Sequence, residues 1–433
     1  MRERTLHCWY LGDVQMPRYV GEVSLASDAR SCILVHGGAW RDSGFDLSPD
    51  MPRTQQLHDP AGRLEAPGAL DDAMPDRWGE RMIRVISRPS RMSPLDKLWH
   101  AGDRRFGALG ISRSAEFYDP CPQPPLIQAS SLGQAEEIIR RVLDREPIDE
   151  RERQLVASAG SLGGARPKML VEHEGQEWIA KFPHGSNVDQ LLIEHAAMEL
   201  ARRAGLKVAE SRAMPGDIDH VLLVRRFDRC GVVRRHAISG RTALARERVE
   251  SYAALSCFLE THAAPDAAAL QQLELFRRMT FNIMIDNTDD HSKNHAFLRE
   301  RDGSWSLSPA YDIPPQMNGL ALQAMQISPD PAYENRFDRE HAIAAAASFG
   351  LEPEQARHEW NVMAGHVSSW RDVFAESGVR DPDLDYLSDF LDSDTLRTHR
   401  ADAVLPPSPV SVNGWVPPEP SPYDETDDPF RTS

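Results

Sequence analysis

Asp289-Asp290-His291-Ser292-Lys293-Asn294 follows closely on the apolar run Met279-Thr280-Phe281-Asn282-Ile283-Met284-Ile285, and the reading of this stretch decides the fold. An Asp followed, after four residues, by an Asn has the spacing of the catalytic loop in phosphoryl-transfer enzymes. There the carboxylate accepts the proton of an attacking hydroxyl and the carboxamide helps hold a magnesium ion. Alone, D-x-x-x-x-N recurs by chance. Here acid, imidazole, amine and amide crowd the end of an apolar element, which marks a site rather than a solvated face.

Phosphoryl transfer needs a backbone cradle for the phosphates, a Lys for their charge, hard oxygen ligands for magnesium and a positioned carboxylate. Working outward from Asp289, each part has a candidate. The cradle is Gly160 to Lys168, where glycines let backbone N–H groups approach phosphate oxygens. It is neither a Walker A loop nor G-x-G-x-x-G. The Lys is Lys181, in the apolar strand Trp178-Ile179-Ala180-Lys181, costly to bury unless paired; Glu194 in the following helix is its candidate partner. The metal ligands are Asn294 and Asp312, and the base is Asp289, with Asp290 as its decoy neighbour. Taken singly, these residues read as a flexible turn, an edge-strand lysine, a turn-capping Asp before Pro314 and a helix-terminal Asp. Their order along one chain is what argues for a site.

The flanking pattern agrees. Met169–His173 and Glu177–Phe182 around Glu174-Gly175-Gln176 predict a β-hairpin. Asn187 is the expected cap of a helix running to about Ala204 and ended by Gly205. His220–Val224 predicts a buried strand. An amphipathic helix is expected over Gln134–Arg145. From about Arg248 the pattern is helical: Tyr252–Leu259, Ala267–Ile285, His341–Ala347, Pro353–Phe374 and Pro382–Leu391. The organisation expected is a mixed α/β subdomain over 1–125, a lobe carrying the glycine-rich loop over 126–247, an α-helical lobe with the catalytic loop over 248–400, and a Pro-rich acidic, disordered tail over 401–433. The fold class is therefore α+β and bilobal.

Composition bounds the rest. The 433 residues are 41% hydrophobic, enough for a sizeable core, and carry a net charge of −17. Such a surface repels phosphate backbones, which argues against an autonomous DNA or RNA binder and suits a basic protein partner. The five cysteines form no C-x-x-C pair, which disfavours a zinc knuckle and fits a reducing cytoplasm. No apolar run approaches a membrane span and no signal-peptide core follows the first residues. His291 and His295, four apart, leave a metal-dependent hydrolase as one alternative if they share a helix face. A catalytically silent binding module is another.

Three stretches resemble the HipA-type serine/threonine kinase toxins of bacterial type II toxin–antitoxin systems. Ser161-Leu162-Gly163-Gly164-Ala165-Arg166-Pro167-Lys168 is similar to that family's glycine-rich loop. Asn287-Thr288-Asp289-Asp290-His291-Ser292-Lys293-Asn294 is similar to its catalytic loop, and Tyr311-Asp312 to its metal-binding dipeptide. Fainter echoes are Leu47–Pro52, Met74-Pro75-Asp76-Arg77-Trp78-Gly79 and Arg226-Phe227-Asp228-Arg229. The resemblance implies a protein-kinase-like fold that uses ATP and Mg2+. Asp289 would be the general base, and Asn294 and Asp312 would hold Mg2+. Lys181 would touch the ATP phosphates, and Gly163, Gly164, Ala165, Arg166, Pro167 and Lys168 would line them. His291, Ser292, Lys293 and Tyr311 would complete the ATP site, and Arg225, Arg226 and Phe227 would form a hinge meeting adenine through backbone groups. Arg225 departs from the acidic residue the family often has there. Ser161 matches a serine that family members autophosphorylate, which ejects the loop and silences the kinase. The resemblance further implies a protein target such as an aminoacyl-tRNA synthetase, and a helix-turn-helix antitoxin that carries the operator DNA contacts.

Overall fold

The structure is a computed structural model that describes residues 5–60, 64–320 and 323–401. The expected tail lies, from residue 402 onward, outside the described residues.

The N-terminal part is built on a five-stranded sheet of order β4-β3-β2-β1-β5, from β1 (Thr5–Tyr10), β2 (Arg18–Leu25), β3 (Cys32–His36), β4 (Leu57–His58) and β5 (Leu109–Ser112). Alternation along β1 and β3 turns Leu6, Cys8, Cys32 and Leu34 into the core. Helices α1 (Gly38–Ser43), α2 (Gly68–Asp72), α3 (Arg77–Ile86) and α4 (Pro94–His100) fill the connections. Ser93 and Asp96 close a reciprocal capping box at the start of α4.

The second part is a sheet of order β6-β7-β8-β10-β9, from β6 (Ile127–Gln128), β7 (Lys168–His173), β8 (Gln176–Lys181), β9 (Ser211–Pro215) and β10 (His220–Arg225). The β7–β8 turn has Glu174 at φ 52° and Gly175 at φ 71°. Two left-handed residues in a row make the tight hairpin that matches strand twist. Before β7 lie α5 (Leu132–Leu143) and α6 (Glu150–Leu155); after β8 comes α7 (Gln190–Arg203). One face of the sheet and α5 enclose Ile138, Ile139, Val171, Trp178 and Leu223, and Trp78 and Met82 of α3 enter the same cluster. Each such buried apolar side chain contributes about 1.5–3 kcal/mol. The cap of α7 is Asp189, not Asn187: its Oδ1 accepts from Leu192 N–H at 3.1 Å. The helix therefore starts two residues later than its sequence suggests, and the longer loop lets the same carboxylate reach His220 Nδ1 at 2.6 Å.

A short hairpin, β11 (Arg229–Cys230) and β12 (Val233–Arg234), leads into a small sheet of β13 (Ala237–Ser239), β14 (Ala296–Arg299) and β15 (Trp305–Leu307). The sequence pattern did not suggest strands within the helical lobe. The remainder is helical: α8 (Gly240–Ala243), α9 (Tyr252–His262), α10 (Ala268–Met284), α11 (Arg339–Ala344), α12 (Pro353–Val367), α13 (Trp370–Glu376), α14 (Asp381–Leu391) and α15 (Asp394–His399). The expected single helix over Pro353–Phe374 is two, because Ser368 and Ser369 intervene and both hydroxyls bond back to carbonyls of α12. The α+β, two-lobed expectation is met.

Candidate functional site

Lys168 and Lys181 face each other across the β7–β8 ladder. Like charges directly opposite on a sheet repel, so the pair needs anions. Lys181 has two. Its ammonium donates to Glu194 Oε1 at 2.6 Å and to Asp312 Oδ1 at 2.7 Å. Glu194 comes from α7 and is fully buried. Burial opposes the Lys181 charge, but Asp312 and Glu194 hold its pKa above the usual lysine range. Burial likewise opposes ionisation of Asp312, yet Lys181 and Lys168 hold its carboxyl well below the usual range. Burial pushes Glu194 up against the pull of Lys181. Asp312 sits at φ 57°, a conformation that costs a non-glycine residue about 1–3 kcal/mol and is common at functional sites.

Lys168 has no such partner: its ammonium makes no hydrogen bond to any described residue. Burial and the neighbouring Lys181 push its pKa down. It lies under Gly164, which has φ +90°; a Cβ there would come within 2.4 Å of Lys168 Nζ. The left-handed backbone there favours glycine. Arg166, in the same loop, keeps its buried Nη1 unpartnered, and its charge acts on both Glu194 and Asp312. Two cations short of partners beside a glycine backbone can take up a polyanion.

The catalytic-loop stretch is held from below. Asp290 is buried and accepts from the Tyr252 hydroxyl, from Asn282 Nδ2 at 2.8 Å and from His295 Nε2 at 3.0 Å. It is thus the anchor of the loop rather than a decoy, and its neighbour Asp289 is left exposed. Asn294 Nδ2 donates to Asp289 O at 3.2 Å, and Tyr311 donates to Lys293 O at 2.8 Å. Asp286, which the sequence reading passed over, adopts φ 57° and accepts from the N–H groups of Asn318, Gly319 and Leu320 at 2.7–2.9 Å. Ser292 donates to Glu250. His291 and His295 flank a single 3-10 turn, both with extended backbone, and His295 is committed to Asp290. The helical metal pair of the hydrolase alternative is therefore not formed.

The comparisons with known proteins point one way. The HipA N-terminal domain matches residues 14–112 and the HipA-like C-terminal domain matches residues 160–370. The chain belongs to the HipA family. It is 27% identical over 351 residues to Y4mE of Sinorhizobium fredii, which carries a provisional kinase name, covering 72% of this chain and 77% of that one. It is 24% identical over 348 residues to the serine/threonine-protein kinase toxin HipA of Shewanella oneidensis, covering 70% and 73%. The fold matches the HipA of the Shewanella oneidensis HipA, HipB and operator DNA complex with a TM-score of 0.65 at 20% identity, over 92% of this chain and 97% of that one. This HipA-family chain is a serine/threonine kinase with an α+β, kinase-like fold.

Two expectations for the HipA-family site change on inspection. Ser161 does not sit in an open loop. It ends a 3-10 turn over Ala157–Ser161, is 4% exposed, donates to Ala101 O at 2.6 Å and accepts from Gln123 Nε2 at 3.1 Å. At the hinge, Arg225 N–H donates to Glu210 O and Arg226 N–H to Glu177 O, so neither donor is open to adenine. The Arg226 guanidinium faces the N-terminal part, bonding Asp228 at 2.7 and 2.9 Å and the carbonyls of Arg104 and Arg105. Phe227 remains, its ring 5.4 Å from that of Tyr311. A surface groove of about 950 Å³ between α11, α12 and α15 contains none of these residues.

Proposed function

We propose that this kinase transfers the γ-phosphoryl group of ATP to a Ser or Thr of a protein, with Mg2+. The observation that carries the reading is the Glu194–Lys181–Asp312 bridge, which joins β8, α7 and the segment after the catalytic loop at one point. Phosphoryl transfer proceeds through positioning and charge stabilisation more than covalent chemistry. Lys181, Lys168 and Arg166 supply cations for the phosphates, and the glycine-rich backbone at Gly163–Gly164 approaches them. Asp289, exposed in the loop that Tyr311 ties through Lys293 O to the Asp312 segment, accepts the proton of the substrate hydroxyl. The Asn294 and Asp312 side chains offer hard oxygens, one of them a carboxylate held ionised, which suits Mg2+ bound jointly by protein and phosphate. Bound there, the ion would neutralise charge on the transferring group. Phe227 and nearby carbonyls would flank the adenine.

The exposed Asp289 gives the direct test. Asp289→Ala incubated with γ-labelled ATP and cell extract is expected to transfer phosphate about 10²–10⁴-fold more slowly while unfolding like the wild type. Undiminished transfer would remove the base assignment.

Its relatives support a role as the toxin of a type II pair, with a helix-turn-helix antitoxin as partner and DNA reached only through it. The net charge of −17 fits that division, since an acidic kinase need not contact DNA itself. Among the described residues no helix is long and apolar enough to cross a membrane. An aminoacyl-tRNA synthetase is the target we favour, and labelled extract identifies it.

A further inference from the structure

The base of the glycine-rich loop is held by its own lobe, where Phe182 N–H donates to Pro167 O at 3.0 Å, but its tip at Gly164 is held from outside it. Both backbone hydrogen bonds of Gly164 run to the start of α3, in the N-terminal part. Gly164 N–H donates to Asp76 Oδ1, and Trp78 N–H donates to Gly164 O at 3.0 Å. Trp78 Nε1 donates to Lys168 O at 2.7 Å. Gly79 packs so tightly under the loop that a Cβ would lie 2.2 Å from Leu162 O. Asp76 Oδ2 also lies 3.4 Å from Lys293 Nζ, in the catalytic loop.

Asp76 occupies the N-cap position of α3, where Asp ordinarily accepts from the helix's own first-turn N–H groups. It makes no such bond. Its carboxylate is turned instead onto a glycine 88 residues away in sequence and a lysine 217 away. A local rule set aside in this way usually marks a functional constraint. Lys293 and Gly164 belong to the two segments that the kinase reading places at the phosphates.

We infer that Asp76 is a positioning residue: from the N-terminal part it latches the phosphate-binding loop to the catalytic loop. It thereby sets nucleotide affinity and restrains release of the segment that contains Ser161. The inference rests on the kinase reading for its meaning, but not for its physical test. Asp76 is half-exposed and caps nothing, so its substitution leaves the fold intact.

The experiment compares full-length wild type, Asp76→Ala and Asp76→Asn. Amide hydrogen exchange read by mass spectrometry needs no activity. In Asp76→Ala the peptide spanning 162–166 is expected to exchange at least tenfold faster, with the β7–β8 peptides unchanged. Asp76→Asn keeps an acceptor for Gly164 N–H and should restore most of the protection. Kinetically, Asp76→Ala should raise KM for ATP severalfold with kcat within about twofold, and Ser161 should be phosphorylated faster. Unchanged exchange over 162–166, or a fall in kcat with KM constant, overturns the latch. If wild type transfers no phosphate, the kinase reading fails while the exchange result still decides the latch.

Discussion

Lys181 and Asp312 meet at 2.7 Å although 131 residues separate them in the chain, and Glu194 completes the bridge from the other side. Only one of Glu194's two oxygens is satisfied: Oε2 is buried without a partner. Among the described residues the lysine is therefore the sole direct counter-charge of a carboxylate with no access to water.

Removing that lysine is expected to cost stability as well as activity. Lys181→Ala should unfold at lower urea concentration, by about 3–5 kcal/mol, since it strands a buried charge. Lys181→Met combined with Glu194→Gln should recover most of that loss while phosphate transfer stays absent. A single variant as stable as wild type would show that the bridge carries no structural weight.

The adjacent acids Asp289 and Asp290 are expected to behave oppositely. Asp289 is exposed, so Asp289→Ala should leave unfolding within about 0.5 kcal/mol of wild type and lower kcat by about 10²–10⁴-fold. Asp290→Ala strands the donors of Tyr252, Asn282 and His295, each buried loss costing about 1–3 kcal/mol. Thermal unfolding and single-turnover transfer, run side by side, check the contrast. Equal stability losses in the two variants would contradict it.

That contrast also marks how far sequence reading reached. The D-x-x-x-x-N spacing, the strand lysine and the β7–β8 hairpin were legible because each depends on local pattern: period-2 alternation, a Gly-bearing turn, a fixed offset. The fold class followed from their order. What escaped depended on distant packing. Asp290 looked like a spare acid because nothing local says that Tyr252 and His295 converge on it. Asp189 rather than Asn187 is the cap, and nothing local says that its carboxylate also meets His220, 31 residues on. Asp76 lay in a faint echo whose meaning needs Gly164 beside it. Asp286 carried one local clue, its place just beyond the apolar run of α10, but its nest of three N–H groups comes from residues more than 30 positions away.

Acid should loosen the junction between the hinge strand and the N-terminal part. Asp228 is 2% exposed and pairs with Arg226 and Arg229. Burial disfavours its charge, but the two guanidinium groups hold its carboxyl well below the usual range. A depressed carboxyl contributes stability that is complete above the unfolded value, about 4, and is lost as pH falls toward the folded one. Tm of wild type should therefore drop steeply below about pH 4, and Asp228→Asn should start lower and fall less. Parallel curves for the two proteins would rule this carboxylate out as the acid-labile group.

Phosphate on Ser161 is expected to be incompatible with the structure as it stands. The hydroxyl is enclosed, donating to Ala101 O and accepting from Gln123. A phosphoryl group adds about −1.5 to −2 charges and three acceptor oxygens, which that enclosure cannot hydrate or pair. Modification must therefore expel the turn at Ala157–Ser161, and the loop that follows leaves the nucleotide site with it. Ser161→Asp should mimic the expulsion in part and weaken ATP binding at least tenfold in a titration. Ser161→Ala loses one buried hydrogen bond, about 1 kcal/mol, and should keep its activity. Preincubation with ATP separates the two outcomes: wild type should lose activity with time as phosphate accumulates on the peptide containing Ser161, and Ser161→Ala should not. Equal inactivation of both would mean that the silencing phosphate, if any, lies elsewhere.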